Sequence, residues 1–368
     1  MLWGRAAGRC EKCNLALSWD PQTKADANLA EAAHIIGFSA DGPRPERDIA
    51  ESAINDIDNL MLLCRLCHSP IVDTNEEEYT VERLRAMKRR HEERVERVTA
   101  IGQERGSHIL LYGANVGNHN PHVSYQVAAP ALTSDDRYPA SRTPIALGTV
   151  NSGFRDRSGE FWTIESRQLQ VMVDQHVKPR LRSGDVEHLS LFALAPQPLL
   201  VMLGYLLCDI NYSARVYQLH REPPGWKWQN HADGFEYVIE RPEAPNGDPA
   251  LVLALSAPVP DSRVTAKLDD ASIWRVTIPE PDNDYLKSAR QLKQFRKLIR
   301  PLLDEIKNHY PAGTMLNVFP AAPVSACVEL GRAIQPKAHM PLRLWDENKD
   351  LGGFVHALDI NLPQGGQS

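Results

Sequence analysis

The sequence has no uninterrupted apolar run of about eighteen residues, the length that a membrane-spanning helix requires. Its first residues show neither the basic nor the apolar region of a secretory signal. It also has no Gly-x-Gly-x-x-Gly loop and no Walker loop, which disfavours a nicotinamide enzyme and an NTPase. We therefore expect a cytoplasmic protein that is neither secreted nor inserted into a membrane.

Positive charge is not in excess either, because 41 Lys and Arg residues stand against 47 Asp and Glu, a formal net charge of −6. Attraction to phosphate provides most non-specific affinity for DNA. A DNA-binding role would therefore require a local basic surface or the assembly of several copies. The length of 368 residues and the hydrophobic fraction of 42% predict a soluble protein of two or three domains.

Cysteine is scarce, and four of the six cysteines are arranged in two pairs. Cys10 and Cys13 form one Cys-x-x-Cys pair, and Cys64 and Cys67 form the other. Four thiolates in this arrangement can close a tetrahedral zinc site. We predict a structural Zn²⁺ that staples a small, loop-rich N-terminal module. A zinc knuckle whose histidines have no chemical role is the alternative.

A histidine, an asparagine and a second histidine follow one another between the cysteine pairs and directly after them. They are His34, Asn59 and His68, the last two within "NLMLLCRLCH". Phosphodiester hydrolysis needs a base for the attacking water and a cation that stabilises the leaving oxygen. This order and spacing resembles the HNH (ββα-metal) nuclease motif over about residues 1–98.

The HNH resemblance implies a role for each of these residues. His34 would be the general base, Asn59 would orient the His34 ring or the hairpin, and His68 would bind a catalytic Mg²⁺ or Mn²⁺. Many members of the family carry Asp or His directly before the base, where this sequence has Ala33. Asp73 is our candidate for the second metal ligand, with a solvated carboxylate as the alternative. Ser69-Pro70 predicts the start of the metal-bearing helix, because proline is tolerated in a first turn.

A charged helix is predicted after this module, because apolar residues recur at helical spacing within residues 79–105. Eight Lys and Arg residues stand against five Asp and Glu between residues 81 and 105. Lys88, Arg89 and Arg90 are the candidate contacts to DNA phosphates. The alternative is a solvated helix with many ion pairs that links two domains.

The C-terminal part repeats itself at a distance of 127 residues. "FALAP" at 192–196 corresponds to "FPAAP" at 319–323, and Leu203-Gly204 corresponds to Leu330-Gly331. In the first copy we predict a helix near 165–181, a strand near 187–193, a second helix through 204 and a strand near 214–219. In the second copy we predict a helix near 285–309, a strand from 316 and a strand near 342–345. Strands that alternate with helices predict two duplicated α/β halves, each with a largely parallel sheet.

Ligands of such sheets bind beyond the carboxyl ends of the strands. Two related halves that face each other would form a pseudosymmetric pocket, which suits a cyclic dinucleotide. Aromatic residues that stack on bases and cations that pair with phosphate lie close by in the sequence. The predicted ligand-binding residues are Ala195, Pro196, Gln197, Trp226, Lys227, Trp228, Pro320, Ala321, Arg343, Trp345 and Lys349. The alternatives are that Ala-Pro caps two strands and that the tryptophans pack under loops.

Nearly the whole chain resembles the HNH–SAVED effector nucleases of bacterial cyclic-oligonucleotide antiphage systems (CBASS). The segments "LWGRAAGRC", "AHIIGFSADGPR" and "IDNLMLLC" carry the N-terminal resemblance, and the repeat with "FPAAP" carries the C-terminal one. The expected fold is a multidomain α+β and α/β protein. It has a zinc-stapled HNH domain at 1–105, including the trailing helix, and a SAVED domain at 106–368. The two CARF-like, Rossmann-like halves of the SAVED domain are expected at about 106–245 and 246–368.

The resemblance implies a switch in the bacterial cytoplasm. A nucleotidyltransferase (CD-NTase) that responds to phage makes a cyclic nucleotide, and the SAVED domain binds it. The protein then assembles from a resting dimer into a tetramer or a larger oligomer, and its HNH domains degrade double-stranded DNA with little sequence preference. The acidic net charge agrees with DNA binding that depends on assembly.

Two other functions remain open at this stage. One is a modification-dependent HNH restriction endonuclease that reads a methylated base, for which Trp226 and Trp228 are candidate cage residues. The other is a non-catalytic, zinc-stapled regulator that binds DNA or a ligand, for which Ala33 is the supporting feature.

Overall fold

The computed structural model describes the chain in two compact units, Met1–Gln103 and Glu104–Ser368. Its described residues exclude 21, 38–41, 46–49, 118, 120, 122, 149–155, 157, 209–211, 232, 337, 349–351 and 363–368, together with the side chains of 51, 52 and 159. Lys349, a predicted ligand contact, therefore lies outside the described residues. No helix in the described part is long and apolar enough to cross a membrane.

The first unit is a two-stranded sheet with short helices and one long helix. Its elements are α1 (Leu2–Arg5), β1 (Ala30–His34), α2 (Glu51–Ile54), β2 (Leu60–Cys64) and α3 (Val81–Thr99), with a 3₁₀ turn at Ile57–Asn59 and a π-helical turn at His68–Asp73. β1 and β2 pair antiparallel, with His34 opposite Leu60. The π-helical turn begins at His68 itself, one residue before the predicted start, and it is only six residues long.

A small core holds the first unit together. Leu17, Ile35, Leu63 and Leu84 are among its buried members, and the buried zinc-pair cysteines pack in the same cluster. The helix α3 begins after Thr80, whose side-chain oxygen accepts a hydrogen bond from the Arg83 amide. It ends at Thr99, so the regular helix is shorter than the predicted 79–105 segment.

The second unit contains two α/β halves. The elements of the first are β3 (Gly106–Gly113), α4 (Tyr125–Ala128), β4 (Tyr138–Pro139), β5 (Ile145–Ala146), α5 (Gly159–Met172), α6 (Lys178–Arg182), β6 (His188–Leu194), α7 (Gln197–Leu206), β7 (Ser213–Val216), β8 (His220–Arg221) and β9 (Pro224–Gly225). A π-helical turn at Val173–Val177 joins α5 to α6. β4, β3, β6 and β7 lie side by side in a parallel sheet, and β5 also pairs with β3.

The elements of the second half are β10 (Val238–Glu240), β11 (Asp248–Ala254), α8 (Asp261–Thr265), β12 (Ala271–Thr277), α9 (Ala289–Asn308), β13 (Leu316–Ala321), α10 (Val324–Ala333), β14 (Leu342–Asn348) and β15 (Gly353–Ile360). The sheet order is β10-β12-β11-β13-β14-β15. The four inner strands are parallel, and the edge strands β10 and β15 are antiparallel. β10 belongs to this sheet although it precedes residue 246, the approximate start predicted for the second half.

The repeat seen in the sequence is present in the fold. The helices α7 and α10 each follow a buried strand and a proline, and each has ten residues. They pack against each other within one core that spans both halves and includes Leu199, Leu203 and Val328. Gly204 and Gly331 lie at this contact, where a Cβ atom on either residue would meet backbone atoms of the other helix. The absence of both side chains lets the two backbones approach closely.

Candidate functional site

The four paired cysteines come together in the first unit. One ligand atom from each of Cys10, Cys13, Cys64 and Cys67 lies within 4.8 Å of the others, and none of the four is in a disulfide. The Sγ atoms of Cys13 and Cys64 are 3.7 Å apart. A tetrahedron with Zn–S bonds of about 2.3 Å has an edge of about 3.8 Å, so this separation fits a zinc ion held by four thiolates.

His34 ends β1, and its side chain is only partly buried. Its Nε2 lies 3.1 Å from the Asn55 side-chain oxygen. If Nε2 carries the proton that this oxygen accepts, Nδ1 carries the lone pair that a general base needs. The sequence did not single out Asn55, because a lone Asn just after a short helix has no distinctive pattern.

Asn59 holds the turn that follows His34. Its side-chain oxygen accepts a hydrogen bond from the Ile36 amide at 2.9 Å, and its Nδ2 donates to the carbonyls of Ile36 and Ile54 at 3.2 and 2.8 Å. Asn59 is 6% exposed. Of the two roles considered for it, this geometry corresponds to orienting the hairpin, because these three hydrogen bonds join its side chain to backbone atoms.

His68 lies between two carboxylates. Its Nδ1 is 2.8 Å from Glu31 Oε2, and its Nε2 is 3.2 Å from Asp73 Oδ2. If Nδ1 donates its proton to Glu31, Nε2 presents a lone pair to the Asp73 carboxylate. Two electron-pair donors that face each other are suitable ligands for a divalent cation, so His68 and Asp73 fit the catalytic metal that the HNH motif implies. Glu31 would then fix the tautomer and the orientation of the His68 ring.

Arg44 connects the two histidine-bearing elements. Its buried guanidinium donates to the carbonyls of Ile35 and Val72 at 2.9 and 3.1 Å and pairs with Asp73 at 2.9 Å. It also lies 3.4 Å from the carbonyl oxygen of His34. One side chain therefore bridges the end of β1 and the π-helical turn. Neither Glu31 nor Arg44 could be identified from the sequence, because neither belongs to the His-Asn-His spacing.

The three candidate DNA contacts on α3 differ in exposure. Arg89 and Arg90 are exposed. Lys88 is 5% exposed, and its ammonium is 2.7 Å from Glu92 and 4.0 Å from the buried Glu11. Burial raises the pKa of Glu11 to about 7, although the charge of Lys88 opposes the shift. Lys88 is thus engaged inside the unit, and this placement leaves Arg89 and Arg90 as the accessible pair.

The carboxyl ends of β6 and β13 meet in the second unit. Ala195, Pro196, Pro320 and Ala321 are buried there, with their backbones packed at the strand ends. The Gln197 side-chain oxygen accepts a hydrogen bond from the Ala322 amide at 3.2 Å. The predicted residues of this group therefore lie together, with one half bonded to the other.

Asp346 lies near these strand ends, where its charge acts on the Cys327 thiol. Burial raises the pKa of Asp346 to about 7, and the neighbouring charge of Asp156 adds to the shift. Asp346 could not be identified from the sequence, because the burial of a single carboxylate in a strand has no pattern of its own.

The predicted aromatic contacts pack within the protein. Trp226 is 4% exposed and meets Phe192 edge to face, with ring centroids 5.2 Å apart. Trp228 packs near Tyr217. Trp345 stacks on Phe319, 5.4 Å between centroids, and donates to Asn317 at 3.0 Å.

Two of the predicted cationic ligand contacts, Arg343 and Lys227, lie in the described part of the chain. Arg343 pairs with Asp359 through two hydrogen bonds of 3.1 and 3.0 Å. Lys227 is exposed on the surface. The structure thus gathers the strand-end residues, while Trp226 and Trp345 pack on Phe192 and Phe319 of the strands that lead to them.

Comparisons with known proteins agree with the division of the chain into two units. The family model described as "SMODS-associated and fused to various effectors sensor domain" (SAVED) matches residues 169–360, and an HNH endonuclease model matches residues 10–70. No curated protein sequence matches the chain.

Solved structures similar to the chain include the Acinetobacter baumannii Cap4 SAVED/CARF-domain receptor with the cyclic trinucleotides 3'3'3'-cAAA and 2'3'3'-cAAA. Both are 12% identical and cover 79% of this chain and 67% of theirs, with TM-scores of 0.43 and 0.44. The Moraxella osloensis Cap4 receptor is 10% identical and covers 76% and 60%, with a TM-score of 0.38. Since the SAVED model covers more than half of the sequence, the chain belongs to the SAVED family, and it carries an HNH endonuclease domain before its sensor domain.

Proposed function

We propose that the protein is a metal-dependent DNA endonuclease that a cyclic oligonucleotide activates in CBASS-type antiphage defence. The main support for nuclease activity is the position of His68 between Glu31 and Asp73. Arg44 joins this group to the carbonyl of His34. A base and a metal-binding pair on one stapled frame are what phosphodiester hydrolysis requires.

The chemistry divides among the residues of the first unit. A Mg²⁺ or Mn²⁺ ion, when bound by His68 and Asp73, supplies stabilisation of negative charge at the leaving oxygen. His34 removes a proton from the attacking water through Nδ1, while Asn55 holds its Nε2. Asn59 and Arg44 fix the backbone that carries His34. Arg89 and Arg90 contact the phosphate backbone of duplex DNA.

Two observations support the messenger-sensing part of the proposal. The chain belongs to the SAVED family, and its two duplicated α/β halves meet at their strand ends. A ligand at that place touches both copies of the repeat, and a cyclic dinucleotide presents two related nucleotides to them. Binding then favours assembly from a dimer to a tetramer or larger oligomer in the cytoplasm. Assembly also raises the number of basic helix faces near DNA, which compensates for the acidic net charge. A CD-NTase supplies the messenger.

Plasmid cleavage with Mg²⁺ or Mn²⁺, with and without a panel of cyclic di- and trinucleotides, tests this proposal. We expect cutting with one messenger and none without it. Cutting that needs no messenger and depends on DNA methylation would indicate the restriction-type enzyme. Gel-shift binding without cutting under any condition would indicate the non-catalytic regulator.

Two variants locate the chemistry within that assay. We expect His34→Ala to abolish cutting while zinc content and messenger binding are retained, because the imidazole is needed only in the reaction. His176→Ala is the control, since His176 is an exposed histidine of the sensor unit. If His34→Ala cleaved DNA at the wild-type level, the assignment of His34 as the base would be rejected.

A further inference from the structure

A cleft in the sensor unit lies apart from the strand ends. It has a volume of about 670 Å³ and is formed by residues after α7, the edge strand β7 and one face each of α9 and α10. On α10 it uses Glu329 and Arg332, near the carboxyl end of the helix. The strand-end group lies at the amino ends of α7 and α10, where Gln197 bonds Ala322.

The charge of this cleft is strongly positive. Six cations line it, Arg215, Lys293, Arg296, Lys297, Arg300 and Arg332, and one of them, Arg215, is paired with Asp135. Glu329 is its single lining carboxylate, and its side chain is 3% exposed and already bonded to Arg296 at 3.1 Å and Arg332 at 2.9 Å. Among the residues that the structure describes, Lys293, Lys297 and Arg300 form no ion pair.

The spacing of these cations along α9 produces electrostatic repulsion when no anion is bound. Lys293 and Lys297, and likewise Arg296 and Arg300, are four residues apart on α9 and therefore neighbours on one helical face. Like charges at this spacing repel each other and destabilise a helix. No acidic residue occurs on α9 before Asp304, in a chain whose net charge is −6. A bound anion would remove this repulsion.

The walls of the cleft indicate the class of anion. Leu207, Val216, Leu292 and Pro301 contribute apolar surface beside the cations. Clefts of roughly 300–1,000 Å³ with mixed lining are typical of small-molecule sites. Apolar surface suits a base or sugar, and guanidinium and ammonium groups suit phosphate.

We propose that this cleft is a second ligand site of the sensor domain, which binds a compact phosphate-bearing nucleotide at a place separate from the strand ends. Its occupant is either a cyclic dinucleotide or a linear nucleotide, which share the same chemistry. The site is defined by binding and does not depend on nuclease activity.

The test compares Lys293→Ala/Lys297→Ala with the control Arg290→Ala/Lys307→Ala in the full-length protein. Both variants remove two exposed positive charges from α9, but Arg290 and Lys307 do not line the cleft. Calorimetric titrations with cyclic di-AMP and with ATP, in the absence of Mg²⁺, give the affinities. We expect the cleft variant to bind one or both probes about tenfold more weakly than the wild type. The control variant should retain wild-type affinity.

Weakening for cyclic di-AMP alone would identify the cyclic nucleotide as the occupant, and weakening for ATP would identify a linear one. Equal affinities of the two variants would overturn the proposal. So would the absence of binding of either probe to the wild type at millimolar concentration. Loss of duplex DNA binding alone, in a gel shift, would also overturn it and assign the face to DNA. Failure of messenger-dependent plasmid cleavage in the wild type would instead reject the proposed function and leave these affinities informative.

Discussion

Gly204 and Gly331, 127 residues apart in the sequence, occupy equivalent positions on two helices that cross each other. A Cβ atom on Gly204 would lie 2.0 Å from the Val328 carbonyl oxygen, and one on Gly331 would lie 1.9 Å from the Val201 carbonyl oxygen. Val201 and Val328 are themselves 127 residues apart. The same close contact therefore occurs twice, once in each direction, and relates the two halves by a local twofold symmetry.

Adding a methyl group at this crossing should destabilise the sensor domain. We expect Gly331→Ala to lower its free energy of unfolding by about 1–3 kcal/mol or more, because the new Cβ clashes with backbone that cannot rotate away. Urea unfolding measures the change. Gly106→Ala is the control, since a Cβ there meets its nearest neighbours at 3.4 Å. Equal stability of the two variants would contradict the close contact.

Loss of one zinc ligand should unfold the N-terminal unit. In Cys64→Ser we expect the bound zinc to fall well below one per chain and the melting transition of residues 1–103 to be lost or lowered. Structural zinc provides much of the folding free energy of small modules. Metal analysis and circular-dichroism melting report both effects. Cys208→Ser, outside the cluster, should keep full zinc. A Cys64→Ser protein with full zinc and an unchanged melting profile would refute the site.

Removing the carboxylate behind His68 should weaken the catalytic metal site. We expect Glu31→Ala to raise the Kd for Mn²⁺ by roughly 10- to 100-fold, because the imidazole loses the acceptor that fixes its tautomer. Glu31→Gln should restore most of the affinity, since its amide oxygen can still accept that hydrogen bond.

The Mn²⁺ affinity can be followed by electron paramagnetic resonance without any cleavage assay. Asp58→Ala removes an exposed carboxylate of the same unit and should leave the Kd unchanged. A Kd that is the same in Glu31→Ala and the wild type would show that Glu31 does not position His68.

The sensor domain should lose stability in mild acid because of one buried histidine. Burial, supported by the charges of Arg137 and Arg215, lowers the pKa of His188 from 6.5 to about 4. As the pH falls through this window, the unfolded chain binds a proton that the folded chain does not. The stability that the neutral His188 side chain contributes is therefore present above pH 6.5. It is lost as the pH falls toward 4, and the full loss is about 3 kcal/mol.

Urea unfolding between pH 4.5 and 8 should show this slope in the wild type and a smaller one in His188→Asn. Ser190→Ala provides the control, because Ser190 belongs to the same hydrogen-bonded group through Ser107 but does not titrate in this range. It should lower stability at every pH and keep the slope. An unchanged slope in His188→Asn would exclude His188 as the cause.

The sequence was sufficient for features that are encoded by short spacings. The cysteine pairs and the order His34, Asn59, His68 are local patterns, and the 127-residue repeat predicted both buried strands and the helices that follow them. Glu31 and Arg44 were missed because their roles depend on pairing across β1, a loop and the π-helical turn. Arg44 acts mainly through backbone carbonyls, which leave no trace in residue identity.

Exposure was the harder property to predict. Lys88 shares a helical face with Leu84 and His91, which are also buried, so its spacing places it inward despite its charge. Trp226 follows a strand, as a base-stacking residue would, but only the fold shows that its ring packs on Phe192. A sequence can indicate that an aromatic residue lies near a strand end. It does not indicate which side of the sheet that residue covers.

The hydrogen bond that the Ala322 amide donates to the Gln197 side chain has a consequence for ligand recognition. The position equivalent to Gln197 in the other copy is Val324, so one half offers an amide where the other offers a hydrocarbon. Two identical subunits would have to present the same side chain twice. Fusion of the copies in one polypeptide removes that obligation. Under the proposed function, we therefore expect a messenger with two different bases to bind in one orientation and not in the reverse.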